Sequence, residues 1–264
     1  MLVDVHAHFY HDRSGRRDWR ELNANRLAAG ERIGITRHLA SILGSWGQGS
    51  PTYFPSATDL TDGNQQMRDL AAAHPERIRG YVTVNPNYTE HAVAEIELAA
   101  RNGMIGLKLA ASRRADDALL DPVCEILPRL GFPVLHHAWQ HRRHEWPGQE
   151  ASDAVELCRL AARHPKVNFI VAHIGGGGDW LHTLRAVRGQ PNVYLDLSGS
   201  GVDGGMLEAA HRAVGTERLL WGTDATLCTG WAKLRHLERL LPRKDFELVV
   251  AGNAIRIFPP GALS

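Results

Sequence analysis

The sequence predicts an α/β fold, a single-domain (β/α)8 TIM barrel, and three observations carry that expectation. Eight short apolar runs alternate with amphipathic stretches along the 264 residues, a count and a length that suit eight strand–helix units. Polar side chains able to ligate a metal recur at the ends of those runs, where such a barrel gathers its site. No Gly-x-Gly-x-x-Gly turn follows the first run, as a doubly wound dinucleotide-binding sheet would require.

The first run, VDVHAHF at 3–9, is rich in apolar and β-branched residues. Period-two alternation puts Val3, Val5 and Ala7 on one surface and Asp4, His6 and His8 on the other. Further strands are expected at 35–43, 80–85, 105–109, 133–138, 168–174, 192–197 and 219–224. Between them, 64–74 (NQQMRDLAAAH), 90–102 (EHAVAEIELAARN), 117–130 and 151–164 (ASDAVELCRLAARH) carry apolar residues at three- and four-residue steps, the spacing of helices with one buried face. The stretch 44–63, GSWGQGSPTYFPSATDLTDG, shows neither period and is expected to be a long loop after strand two, of the kind that serves as a lid. No linker, low-complexity tract or repeat beyond the strand–helix rhythm divides the chain, so one domain is expected over 1–264.

Thirty Lys plus Arg balance 29 Asp plus Glu, a formal charge of +1, which offers no net attraction for nucleic acid or an anionic membrane. The expected partner is a small-molecule substrate, with a homo-oligomer allowed. No signal-peptide pattern opens the sequence and no apolar stretch approaches a membrane span, so a cytoplasmic protein is expected. Cys124, Cys158 and Cys228 are widely spaced, without a Cys-x-x-Cys pair, and suggest neither a disulfide framework nor a thiolate zinc site.

The fifteen histidines are the compositional oddity, and several fall at strand ends. His6 and His8 close the first strand, Lys108 sits late in the fourth (GLKL), His137 in the fifth (PVLHHAW), His173 in the sixth (NFIVAHIGG), and Asp224 closes the eighth (LLWGTDAT). Two histidines at i, i+2 on one strand face have Cβ atoms roughly 6 to 7 Å apart, close enough to reach one ion at about 2.0 to 2.1 Å. A third histidine and a carboxylate complete three or four ligands and leave a position for water, the pattern of a catalytic site. Imidazole plus carboxylate suits one divalent ion, zinc first, with manganese or iron(II) also compatible. Asp224 or His173 could be the base that takes the water's proton.

A lone strand-end histidine is more often a hydrogen-bonded structural residue; the ordered set is what argues for a metal. His136, next to His137, alternates toward the surrounding helices and is expected to play a structural part. The glycine run 175–178 is expected to be a tight turn after strand six, since no P-loop lysine follows. In HRRH at 141–144, Arg142 and Arg143 could hold an anionic substrate, although a solvated loop is the plainer account. Trp46, Tyr53, Phe54 and Trp139 would line a pocket or pin a loop to the barrel rim.

VDVHAHF, GLKL, PVLHHAW, VAHIGG followed by a Trp, NVYLDLSG, LLWGTDAT and GNAIRIF, in that order, resemble the amidohydrolase superfamily, and within it the amidohydrolase-related group that includes aminocarboxymuconate-semialdehyde decarboxylase. The resemblance implies that His6, His8, His137 and Asp224 bind the metal. It implies that His173 poises the metal-bound water or the substrate, and that Asn253 starts the last helix. Where the group often has His-Pro after the lysine motif, this chain has Ala110-Ala111; where it often has small residues after the strand-five histidine, this chain has Ala138-Trp139. Those positions border the pocket and bear on the substrate rather than the metal.

An ammonium facing a dication is unfavourable. Lys108 is therefore expected either to be carboxylated, as in some superfamily members, or, the reading favoured for a one-metal site, to be unmodified and to meet a substrate anion or a nearby carboxylate. Trp139 and Arg142 are the other substrate-binding candidates. The expected activity is metal-dependent hydrolysis of a small ester, lactone or amide, carboxylated substrates included. Non-hydrolytic decarboxylation or hydration is the alternative, and a non-catalytic small-molecule-binding barrel comes third.

Overall fold

The structure, a computed structural model, describes residues 1–13, 17–42, 55–110, 112–138, 152–199, 201–224 and 227–264. Eight parallel strands pair in chain order: β1 (Val3–His8), β2 (Arg37–Ser41), β3 (Ile78–Val84), β4 (Gly106–Leu109), β5 (Val134–His136), β6 (Phe169–Val171), β7 (Val193–Asp196) and β8 (Leu219–Leu220). Past β8 the chain returns to β1, where Ala7 bridges Asp224 and Val5 N donates to Trp221 O. The result is the expected single-domain (β/α)8 barrel. Helices α1 (Trp19–Ile33), α2 (Ala57–Ala73), α3 (Thr89–Arg101), α4 (Asp121–Leu130), α5 (Ala154–Arg163), α6 (Trp180–Val187), α7 (Met206–Val214) and α8 (Leu227–Leu240) fill the crossovers. After them come α9 (Arg243–Glu247), a π turn (Leu248–Gly252) and α10 (Asn253–Ile257).

Alternation sorts the strands into two cores. Val5, Leu39, Tyr81, Leu135, Ile170 and Leu220 fill the barrel, while Leu107, Val134, Phe169 and Leu195 face outward onto Ile96, Leu127 and Leu160 of the helices. Each belongs to a buried face that recurs at three- and four-residue steps, as in Ala92, Ile96 and Ala99 of α3 and Ala154, Leu157, Leu160 and Ala161 of α5, and burying a Leu or Ile contributes about 1.5 to 3 kcal/mol. His136 follows the rule too: it points outward, with Nε2 3.1 Å from Ser152 Oγ ahead of α5.

Three local expectations need correction. First, β1 does not alternate cleanly. Asp4 pairs with His38 and Ala7 with Ala40, so three steps on β1 match two on β2, which is a β-bulge. The bulge leaves Val5 in the barrel core and His6 in the mouth, and it turns Asp4 outward to His38, whose ring packs edge-on against Phe9 at 5.8 Å. Asp4 therefore does not share the His6/His8 face. Second, β6 and β8 are shorter than their apolar runs. His173 lies on a turn past β6 with φ 39°, and Asp224 lies past β8 with φ 57°, so neither side chain is aimed by strand alternation. Third, the expected loop 44–63 is partly helix. Ser56 accepts from Asp59 N while Asp59 accepts from Ser56 N, a capping box that starts α2 at Ala57. Residues 44–54 of that stretch, with Trp46, Tyr53 and Phe54, lie outside the described residues.

Candidate metal centre

The barrel mouth gathers His6, His8 and Asp224. His6 Nε2 lies 3.1 Å from His8 Nε2, and Asp224 Oδ1 lies 3.6 Å from the first and 3.2 Å from the second. Ligand atoms about 2.1 Å from a shared ion, in tetrahedral or octahedral array, stand about 3.0 to 3.4 Å apart. The three atoms fit one ion.

The far sides of both rings are fixed. His6 Nδ1 is 2.7 Å from Asp196 Oδ2, and His8 Nδ1 is 3.2 Å from the Ser41 carbonyl. An acceptor at Nδ1 holds the proton there and leaves the Nε2 lone pair facing the mouth, the arrangement that prepares histidine for a metal. Burial lowers the His8 pKa, against the raising effect of Asp224, which favours the neutral ligand form. For Asp224, burial pushes upward, but His6, His8 and His173 outweigh it and hold the carboxyl far below the usual range.

Beside this set stands a second pair. His173 Nε2 lies 3.2 Å from His137 Nδ1, the rings meet edge to face at 4.8 Å, and His173 also stacks on His6 at 5.9 Å. His137, expected as a ligand, is not grouped with the three clustered ligand atoms; its Nδ1 is turned to His173. Burial pulls His173 down to about 4, with Asp224 opposing, and holds His137 well below its ordinary value, so both rings are neutral. Two glycines admit His173 in its left-handed conformation: a Cβ on Gly199 would stand 2.5 Å from His173 Cβ, and one on Gly176 would stand 2.8 Å from its Nδ1. The glycine run is a turn, as its sequence suggested.

Lys108 is fully buried, with Nζ 3.0 Å from His6 Nε2. Burial brings its ammonium down to about 8, while Asp224 and Asp196 act the other way. His137, His173 and Asp224 open onto a cavity of about 480 Å³ walled by Trp180, Met206 and the glycine turn. Trp139 and Arg142, the remaining substrate-binding candidates, lie outside the described residues.

Sequence reasoning gave no role to Asp196 and Ser198. The Asp196 carboxylate takes His6 Nδ1, Ser198 Oγ and the backbone N–H groups of Ser198 and His173. Alternation in VYLD would have pointed Asp196 into the mouth, next to the inward Tyr194. Lys233 was also missed; it is buried on α8 and donates to the carbonyls of Ser198 and Gly199.

A parallel eightfold barrel whose strand ends hold two imidazoles and a carboxylate around one point defines a class: the metal-dependent barrel enzymes. The family follows from the sequence, which matches the amidohydrolase family over residues 3–259; the chain belongs to that family, within the amidohydrolase superfamily of metal-dependent enzymes. No curated protein matches significantly. Among solved structures, 5-carboxyvanillate decarboxylase from Sphingomonas paucimobilis is similar at 19% identity and TM-score 0.73, covering 97% of this chain and 98% of its own. Dihydroxybenzoic acid decarboxylase from Polaromonas sp. JS666, with bound manganese and 2-nitroresorcinol, is similar at 17% and 0.73, covering 97% and 96%. 4-Oxalomesaconate hydratase from Rhodopseudomonas palustris is similar at 15% and 0.72, covering 98% and 96%. Among the described residues no helix is long and apolar enough to cross a membrane.

Proposed function

We propose that this chain is a metal-dependent decarboxylase of a small carboxylated substrate. The observation that carries the reading is Lys108: a fully buried amine aimed at the metal-facing nitrogen of His6 needs an anion beside it once a cation is bound, and a substrate carboxylate supplies one. His6, His8 and Asp224 would hold the ion, with His137 adjacent as the fourth candidate ligand. When bound, the ion supplies positive charge against which electron density builds as the carbon–carbon bond breaks.

Loss of carbon dioxide leaves an electron pair on the substrate carbon, which must take a proton. Lys108 Nζ, with its pKa near 8, carries one at neutral pH, whereas His137 and His173 do not. Trp180 and Met206 would flank the substrate in the cavity, and His173 would orient it. Two of the three similar structures described above are decarboxylases and one is a hydratase, which supports this reading over hydrolysis.

Hydrolysis of an ester, lactone or amide is the second reading. It is favoured by the neutral His137–His173 pair next to Asp224, which could accept a proton from an attacking water. The donor set suits zinc, and the manganese in the Polaromonas structure supports that ion equally. The test is a panel of carboxylated aromatics, muconate-like acids and lactones on the metal-replete protein. Carbon dioxide release with no solvent oxygen in the product is expected; retention of all carbon with gain of solvent oxygen would replace decarboxylation by hydrolysis. A His6→Ala, His8→Ala double variant that kept its metal by elemental analysis would refute the ligand set.

A further inference from the structure

Asp224 reaches the mouth from an irregular segment in a backbone conformation that costs a non-glycine residue about 1 kcal/mol or more, so something must hold it there. One buried carboxylate does. Asp4 is fully buried behind the metal site and accepts four hydrogen bonds: Thr223 N at 2.8 Å, Thr223 Oγ1 at 2.7 Å, His38 Nδ1 at 2.9 Å and His6 N at 3.3 Å. It thus grips the backbone at one ligand and next to another, on opposite sides of the seam between β1 and the segment after β8. Asp224 N donates to His6 O across the same seam, and Arg26 from α1 donates to Asp224 O at 3.0 Å.

His38 meets this carboxylate from β2. It is fully buried, its Nε2 has no hydrogen-bond partner among the described residues, and a Cβ on Gly30 would stand 2.6 Å from that nitrogen. Among the described residues Asp4 is the acceptor for its ring, so Nδ1–H is the donor. The β1 bulge is what turns Asp4 outward to this pocket while His6 stays in the mouth.

We propose that Asp4, through Thr223, His38 and the His6 backbone and with Arg26 bracing the Thr223–Asp224 segment beside it, is a positioning residue that sets the spacing between His6 and Asp224 and so tunes metal affinity from outside the ligand set. The inference rests on the metal-site reading above. Its test measures Mn²⁺ dissociation constants by chelator competition for wild type, Asp4→Asn, Thr223→Val, Thr223→Ser and Arg26→Gln, together with the absorption spectrum of each cobalt(II)-loaded protein. Asp4→Asn and Thr223→Val should bind Mn²⁺ about 10- to 100-fold more weakly, as loss of groups that orient ligands does elsewhere, and should shift the cobalt bands.

Thr223→Ser keeps the hydroxyl and should stay within about threefold of wild type, a rescue that a packing role for the Thr223 methyl would not give. If the first two variants do not fold, Arg26→Gln, altered at a half-buried position, should still bind severalfold more weakly with a shifted band. Wild-type affinity and spectrum in the folded variants, or a lower melting temperature with no change in either, would overturn the proposal. A wild-type chain that binds no divalent ion would refute the metal-site reading itself.

Discussion

Replacing Asp196 by Asn isolates what one buried carboxylate does for a ligand it supports. The carboxylate accepts from His6 Nδ1, Ser198 Oγ, Ser198 N and His173 N. An amide offers one acceptor oxygen in nearly the same shape. If that oxygen stays on Ser198 N, the new NH₂ faces His6 Nδ1–H, and the clash is relieved only by moving the imidazole proton to Nε2. That is the nitrogen grouped with His8 and Asp224, and protonating it removes the lone pair a metal needs. The expected cost is about 10- to 100-fold in metal affinity, or about 1.4 to 2.8 kcal/mol. A further cost of about 1 to 3 kcal/mol in folding stability is expected from donors left unpaired. The assay is competition of apo protein against a chelator for Mn²⁺ and Zn²⁺, with thermal melts of the same preparations. An Asp196→Asn protein that binds both ions within twofold of wild type would show that the His6 tautomer is not set by this carboxylate, and the reasoning would fail.

Gly199→Ala places a methyl against His173 Cβ at a position with φ 79°, so it should displace His173 and lower turnover by about 10²-fold or more while leaving metal content near wild type; loss of metal instead would mark His173 as a ligand. His136, held down to about 3 chiefly by burial, with Lys108 and His173 adding to the effect, predicts acid sensitivity. Between about pH 3 and 6.5 the unfolded chain binds a proton there that the native chain does not, so stability rises with pH across that window and is lost as pH falls, by up to about 1.4 kcal/mol per unit. Denaturant unfolding of wild type and His136→Leu at pH 4, 5, 6 and 7 checks it, and identical pH slopes would be the contrary result.

Periodicity read the fold because each strand has one face in the barrel core and one under helices, so the inward Leu135, Ile170 and Leu220 alternate with outward Val134, Phe169 and Leu219. It failed where the backbone leaves the regular menu. A one-residue bulge in VDVHAHF reverses the side of Asp4, and no residue in that run marks it, since bulges are set by pairing with β2 rather than by local preference. The capping box at Ser56 and Asp59 was legible in the letters, yet the polar loop before it hid the start of α2.

The site shows the same division. His6, His8, His137, His173, Lys108 and Asp224 were legible as candidates by residue type; the structure groups ligand atoms of His6, His8 and Asp224, sets Lys108 against His6 and pairs His137 with His173. Their aim was not legible for His173 and Asp224, because both side chains are directed by left-handed backbone turns and not by strand parity. A non-glycine residue held at positive φ needs neighbours that over-determine it. Those neighbours are residues to which the sequence gave no part in aiming these side chains: Gly199 and Gly176 around His173, and Thr223 and Asp4 behind Asp224. The ligands announce themselves by chemical type, whereas the groups that aim them are ordinary residues whose role exists only once the seam between β1 and the segment after β8 has closed.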